Sequence, residues 1–331
     1  MLKKRVILHV GLPKAGSTFL QRGVFPRLRD VYDLNTRDPE ALDALIACFR
    51  AAEWRQDQAR KIVDYLTARI TEPILVISWE GFAGHPLNGF RANETYATRL
   101  KELFPAATVL LVVRRQDAFL ESAYRQCLHN YHSQTVRGFL NLTGDGFGAA
   151  QPDRRAANVD VRAIDFLAMA RRYAALFGQP SVSVLALEQL VKDREGFVAR
   201  VLAATGTTLA SDIDFARREN RGYSLISSRI AMVLNRFVHT RNNPWGIIPN
   251  QPFRRFLEPR AARSRFFHIL FAISVRISLR YFLQNVVDRL IYIDARFIDR
   301  ATRQRIMDLH RDSNAALDRE FAVGLAPFGY Y

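Results

Sequence analysis

The chain has 331 residues, 49% of them hydrophobic, with 48 basic side chains against 32 acidic ones and a formal net charge of +16. Length and apolar content exclude an intrinsically disordered chain and suffice for one large α/β domain, or a medium domain with a helical extension. A field of this sign concentrates anions, whether nucleotides, acidic glycans, anionic lipid or nucleic acid, without choosing among them.

The first apolar run, Val6 to Val10, follows Lys3, Lys4 and Arg5 and leads straight into a glycine turn. It is too short for the core of a signal peptide and reads as a strand, so a cytoplasmic enzyme is expected. Similar β-branched runs recur at Ile74 to Ile77, Thr108 to Val113 and Val182 to Leu187. They lack period-two alternation, as strands do when helices cover both faces of a sheet. Helical patterns fall between them, at Arg60 to Arg69, Thr95 to Phe104 and Ile164 to Phe177, the last stopped by Gly178 and Pro180. The alternation predicts an α/β fold with a mainly parallel central sheet flanked by helices, and a ligand site outside the carboxyl ends of the strands.

Residues 133–160 hold Gly144, Gly146, Gly148 and Pro152 without periodicity and read as a long binding loop or lid. From about residue 222 the pattern turns helical and rich in Arg, giving a core over 1–222 and a helical extension over 223–331. No Lys follows Lys192, which fits either planar phosphate recognition or Arg-favouring codon usage. Cys48 and Cys127 have no metal-ligand spacing and read as buried thiols in a reducing compartment.

The segment VILHVGLPKAGSTFLQ is a strand, a glycine-bearing turn and then Ser17 and Thr18 opening an apolar-periodic stretch through Leu20, Val24 and Leu28. Amides at such a helix start converge on an anion, Gly16 lets the backbone approach closely, and the two hydroxyls add donors. Pro26 is expected to end or kink the helix. A nucleotide kinase would need GxxxxGK[ST]; Gly11 and Gly16 have the spacing, but Ser17 stands where the lysine belongs and the loop's only lysine is Lys14. The run Thr108 to Val113 ends in Arg114 and Arg115, where a magnesium-dependent NTPase would often place an acid, so a second anion is favoured over a metal.

PKAGSTFLQ resembles the 5'-phosphosulfate loop of sulfotransferases that use 3'-phosphoadenosine 5'-phosphosulfate (PAPS), and VVRRQDAFLESAYRQ resembles their 3'-phosphate motif, with Arg114 and Ser122 at the family's spacing. Arg115, Gln116 and Asp117 depart from the Asn-Pro that usually follows the Arg. FLAMARRYAALFGQPSVSVLALEQLVKD is similar to a further helix, glycine, strand and Glu-x-Leu sequence of the family, so the resemblance spans roughly residues 5–225 and implies the family's P-loop-like three-layer α/β fold. It implies that Lys14 neutralises the leaving group and that Lys14, Ala15, Gly16, Ser17 and Thr18 hold the 5'-phosphate. Arg114 and Ser122 would take the 3'-phosphate and so set PAPS apart from other nucleotides. Arg217, Arg218, Asn220 and Arg221, in RRENRGYS, are further cofactor candidates, a solvated basic helix end being the alternative. No metal is implied.

An acceptor hydroxyl needs a base within hydrogen-bond reach. ILVISWEGFAG puts Glu80 directly past a buried strand, where several carbohydrate sulfotransferases carry a proposed base; helix capping or an ion pair are the structural alternatives, and His85, His129 and His132 the other candidate bases. The expected activity is transfer of a sulfuryl group to a hydroxyl or amine, with a glycan or glycolipid acceptor as a family-level expectation. A P-loop kinase and a catalytically idle nucleotide- or glycan-binding scaffold are the rivals. Apolar residues at 266, 269, 270, 273 and 277 have helical spacing, punctuated by Arg276, Arg280 and Arg289, which argues against a spanning helix. Packing on the catalytic core and interfacial attachment to a membrane, at its inner face, both fit. No nucleic-acid motif is present in the sequence.

Overall fold

The structure, a computed structural model, describes all residues except 1–3, 145, 151–156, 216–222, 241–242, 250–256, 258–259, 262–263, 277–278, 292 and 294–295. The chain forms two compact units, one from residues 1–119, 162–219 and 304–331, the other from 120–161 and 220–303.

The first unit is built on a five-stranded sheet of β1 (Arg5–Gly11), β2 (Val31–Asp33), β3 (Ile74–Ser78), β4 (Thr108–Val113) and, after the short strands β5 (Leu142–Thr143) and β6 (Gly146–Phe147) of the second unit, β7 (Val182–Ala186). Its order is β2-β3-β1-β4-β7 and every neighbouring pair is parallel. The α/β fold with a parallel sheet flanked by helices is therefore the one the sequence predicts. Ile7, Leu8, Val10, Val76, Ile77 and Leu110 to Val113 are fully buried, which is why these runs read as continuous apolar stretches. Each such side chain contributes about 1.5–3 kcal/mol of burial, so the central strands hold their carboxyl ends rigidly.

The order also fixes where the site lies. The chain leaving β1 must travel to β2 at one edge, whereas the chains leaving β3 and β4 travel toward β7 at the other. With right-handed crossovers these connections lie on opposite faces, so crevices open beside the end of β1 on both sides. The loops at those crevices follow Gly11, Ser78 and Val113.

After β1 comes α1 (Ser17–Phe19), which widens into a π turn at Leu20–Val24 and then a 3-10 turn at Phe25–Arg27. The helix ends here, as the position of Pro26 leads one to expect, because Pro26 has no amide to give to the Arg22 carbonyl. Arg27 Nη1 fills the gap, donating to Arg22 O at 3.0 Å and Gly23 O at 2.9 Å. Asp33 and Asp38 cap α2 (Leu34–Arg37) and α3 (Pro39–Arg50), and α3 also has Pro39 at its first position. Next come α4 (Gln56–Arg69), α5 (Ala92–Leu103) and α6 (Gln116–His129), which continues into the second unit and is followed there by α7 (Val136–Phe139). Back in the first unit, Asp165 caps α8 (Phe166–Phe177), which stops at Gly178 with φ 85°. Then α9 (Leu187–Lys192) and α10 (Arg194–Thr205), capped by Asp193, complete the middle stretch. The helix Arg300–Phe321 closes the chain, its last portion in the first unit, where Arg171 and Glu320 form a charged pair through Nε at 2.9 Å.

In the second unit the loop 133–160 contains α7, capped by Thr135, and the antiparallel hairpin of β5 and β6. Glu121 of α6 is buried and accepts from the amides of Phe297 at 2.9 Å and Ile298 at 3.0 Å. Asn235, just past α11 (Leu225–Leu234), donates to the carbonyls of Leu128 and His132, both at 2.8 Å.

Candidate active site

The turn after β1 is anchored on both sides. Leu12 N donates to Val112 O of β4 at 2.8 Å, and the Leu12 carbonyl accepts from Ala15 N at 3.3 Å and from Ser17 Oγ at 3.0 Å. Ser17 is buried and its hydroxyl is committed to this carbonyl, so it locks the loop rather than offering a donor outward. Lys14 (φ 64°) and Gly16 (φ 86°) are both left-handed. Alternating hand of this kind turns successive amides to one side and forms a concave anion cradle. Holding a lysine there costs about 1–2 kcal/mol, a strain that the anchors must offset. The start of α1 adds the amides of Ser17 and Thr18, which have no intrahelical acceptor.

Gly11 sets the distance between the turn and the next crevice. A Cβ on it would lie 2.9 Å from the Glu80 carbonyl oxygen and 3.1 Å from Ala83 Cβ, and its φ is 123°. Because the nearest obstacle is backbone, Gly11→Ala is expected to destabilise the fold by about 2 kcal/mol or more, read as a lowered urea midpoint; an unchanged midpoint would contradict this close approach.

Glu80 opens a 3-10 turn, Glu80–Ala83, immediately beyond β3. It is half-buried, and among the described residues its carboxylate has neither an ion pair nor a capping hydrogen bond. Its neighbour Trp79 packs on Phe82 and lies under the Arg50 guanidinium, which fixes the turn without using the carboxylate. Of the alternative bases, His85 Nδ1 accepts from Leu87 N at 3.2 Å, and His129 Nε2 accepts from Tyr223 N at 3.2 Å with the two rings 3.7 Å apart. His132 follows α6 in the second unit, half-buried.

At the end of β4 the two arginines divide their work. Arg114 Nη1 donates to the Lys14 carbonyl at 3.0 Å, bringing its guanidinium to the back of the cradle. Arg115 grips Asp117 with two bonds of 2.7 and 2.9 Å, donates to Phe328 O at 3.2 Å, and its amide donates to Glu188 Oε1 at 3.0 Å. Asp117 beside it holds the Arg115 pKa up. Tyr330 OH donates to the other Glu188 oxygen at 2.8 Å, and Gln116 exchanges a pair of amide bonds of 2.7 and 3.0 Å with Asn314. The residues in place of the usual Asn-Pro are therefore the ones that tie this turn to the C-terminal helix and tail. Glu188 is the hub, and the tail partners lack any local signal.

A second buried network lies beneath the cradle. His9 Nδ1 is 2.6 Å from Ser78 Oγ, Gln21 Nε2 donates to that oxygen at 3.0 Å, and Asn35 makes bonds of 2.8 and 3.2 Å with the Ser78 backbone. His9 is fully buried, its Nε2 has no partner among the described residues, and burial pushes its pKa down to about 3. These side chains join the ends of β1 and β3, hence the cradle and Glu80. Sequence reasoning passed over His9 because it sits inside an apolar run and its partners are distant in the chain.

Ser122 is half-buried on α6 in the second unit. Arg217, Arg218, Asn220 and Arg221 lie outside the described residues.

No protein-family model matches the chain, and no curated protein matches it. Among solved structures it is similar to a sulfotransferase from Alicyclobacillus acidocaldarius, at 15% identity and a TM-score of 0.47, over 88% of this chain and 97% of that one. It is also similar to the sulfotransferase domain from the curacin biosynthetic pathway, at 13% identity and a TM-score of 0.36, over 63% of this chain and 75% of that domain.

Proposed function

We propose that the protein is a PAPS-dependent sulfotransferase that passes the sulfuryl group to a hydroxyl or amine by in-line displacement. The observation that carries this reading is the bond between Arg114 and the Lys14 carbonyl, which sets a second cation against an amide-lined loop already bearing one. Two cations so placed suit a ligand with two anionic ends better than one with a single phosphate. The loop sequence supports the same reading, with Lys14 inside the turn and a hydroxyl residue where a kinase would carry its lysine.

In the proposed reaction the acceptor oxygen attacks sulfur while the bond from sulfur to the 5'-phosphate oxygen breaks. The electron pair goes to that phosphate oxygen, and the acceptor proton goes to the Glu80 carboxylate. Lys14 and the amides of Gly16, Ser17 and Thr18 offset the charge that develops on the leaving nucleotide. Arg114 holds the 3'-phosphate; Ser122, Arg217, Asn220 and Arg221 keep the cofactor roles that the resemblance implies. A glycan or glycolipid acceptor and a cytoplasmic location complete the proposal, with 1–222 as the donor-binding region.

Calorimetry tests it directly. The wild-type protein is expected to bind adenosine 3',5'-bisphosphate more tightly than 5'-AMP, and Arg114→Ala to weaken the bisphosphate by about 10–100-fold while changing 5'-AMP little. Equal losses for both nucleotides, or no preference in the wild type, would remove the 3'-phosphate contact and with it the choice of donor.

A further inference from the structure

In the second unit, residues 223–303 carry fourteen Arg and no Lys against four carboxylates, Glu258, Asp288, Asp294 and Asp299. The same stretch leaves large apolar side chains in solvent. On the helix Arg265–Arg276, Phe266 and Ile269 are exposed and lie one turn apart. On the helical run 279–290, Phe282, Val286 and Leu290 follow at intervals of four and are exposed, Leu290 by 78%. Ile291 and Ile293 extend that edge. The opposite side of the run is occupied: Leu283 is fully buried, and its carbonyl accepts from Ser227 Oγ of α11 at 3.3 Å. One side of this helix is therefore anchored and the other is apolar and open to solvent. Trp245 and Ile247, 84% and 81% exposed, add a second apolar protrusion to the same unit.

Arg265, Arg280 and Arg289 are exposed along the same two helices and make no ion pair among the described residues. The combination of an open apolar helix side with flanking arginines is what lies in the boundary between headgroups and acyl chains. A second copy of the chain would bring the same arginine excess to the contact, whereas anionic phospholipid neutralises it. Among the described residues no helix is long and apolar enough to cross a membrane. We infer that the outer side of the helices Arg265–Arg276 and 279–290 is a docking surface for an anionic phospholipid leaflet, on which the protein rests without spanning it. This inference stands apart from the sulfotransferase reading.

Vesicle sedimentation of the full chain decides it. Vesicles of phosphatidylcholine containing about one-third phosphatidylserine should bind the protein, phosphatidylcholine alone should bind it at least about 10-fold more weakly, and raising salt should reduce the difference. The pairs Phe266→Ser with Ile269→Ser, and Phe282→Ser with Leu290→Ser, should each lower affinity by about 10-fold or more, while Val191→Ser, an apolar site in the first unit that is more exposed than any of these, should leave it unchanged. A triple Arg265→Gln, Arg280→Gln, Arg289→Gln variant, which spares the apolar side, should lose the preference for phosphatidylserine. Far-UV spectra and thermal midpoints matching the wild type show that the variants fold. Absent binding, equal binding to both vesicles, or affinity untouched by the apolar pairs would overturn the inference. So would a dimer in vesicle-free solution that those same pairs dissociate, which would make the face a contact between copies.

Discussion

Glu80→Gln is expected to lower sulfuryl transfer from PAPS by about 10³-fold while leaving the affinity for adenosine 3',5'-bisphosphate within about twofold of wild type. The carboxylate stands at the end of β3, and its backbone lies against Gly11 at the start of the cradle. Its partners among the described residues are none, so the amide breaks no ion pair and should fold normally. What the amide cannot do is accept the acceptor's proton. The separation of turnover from nucleotide binding is the informative part, because a merely structural glutamate would disturb both or neither. Unchanged turnover would move the base to the histidines, His85, His129 or His132.

Acid should weaken the fold through His9. Burial holds the folded imidazole at about 3, against 6.5 for the free group. Between those values the unfolded chain binds a proton that the folded chain refuses, so stability is complete above pH 6.5 and is lost as pH falls toward 3. The slope is about 1.4 kcal/mol per pH unit, or roughly 3 kcal/mol between pH 6.5 and 4.5. His85 is also lowered by burial and contributes in the same direction, so a comparison with His9→Asn isolates the buried site. That variant should be weaker at neutral pH but show a shallower fall in urea-unfolding free energy across the window. Equal slopes would mean that His9 is protonated in the folded state, which the unpartnered Nε2 does not accommodate.

The sheet was legible because four of its strands are buried on both faces and announce themselves as apolar runs. The fifth, β2, has only three residues, VYD, at a sheet edge, too few to carry a period. The cradle was legible from Gly11 and Gly16, whose close-packed and left-handed positions favour glycine, and from the lysine, Lys14, set between them. The commitment of the Ser17 hydroxyl to Leu12 was not, since a hydroxyl at a helix start reads equally as a ligand donor. Nor were the His9–Ser78 and Tyr330–Glu188 bonds, which join residues 69 and 142 positions apart. Local patterns report burial and backbone hand; they do not report which distant polar group completes a pair.

The turn that carries Arg115 takes one of its acceptors, the Phe328 carbonyl, from 213 residues further along. At ribosomal speeds that separation is roughly 10–40 s of synthesis, during which Arg115 has Asp117 at hand but neither the Phe328 carbonyl nor, through Glu188, the Tyr330 hydroxyl. Full anchoring of this turn is therefore a late step, possible only once the tail beyond the last helix has left the ribosome.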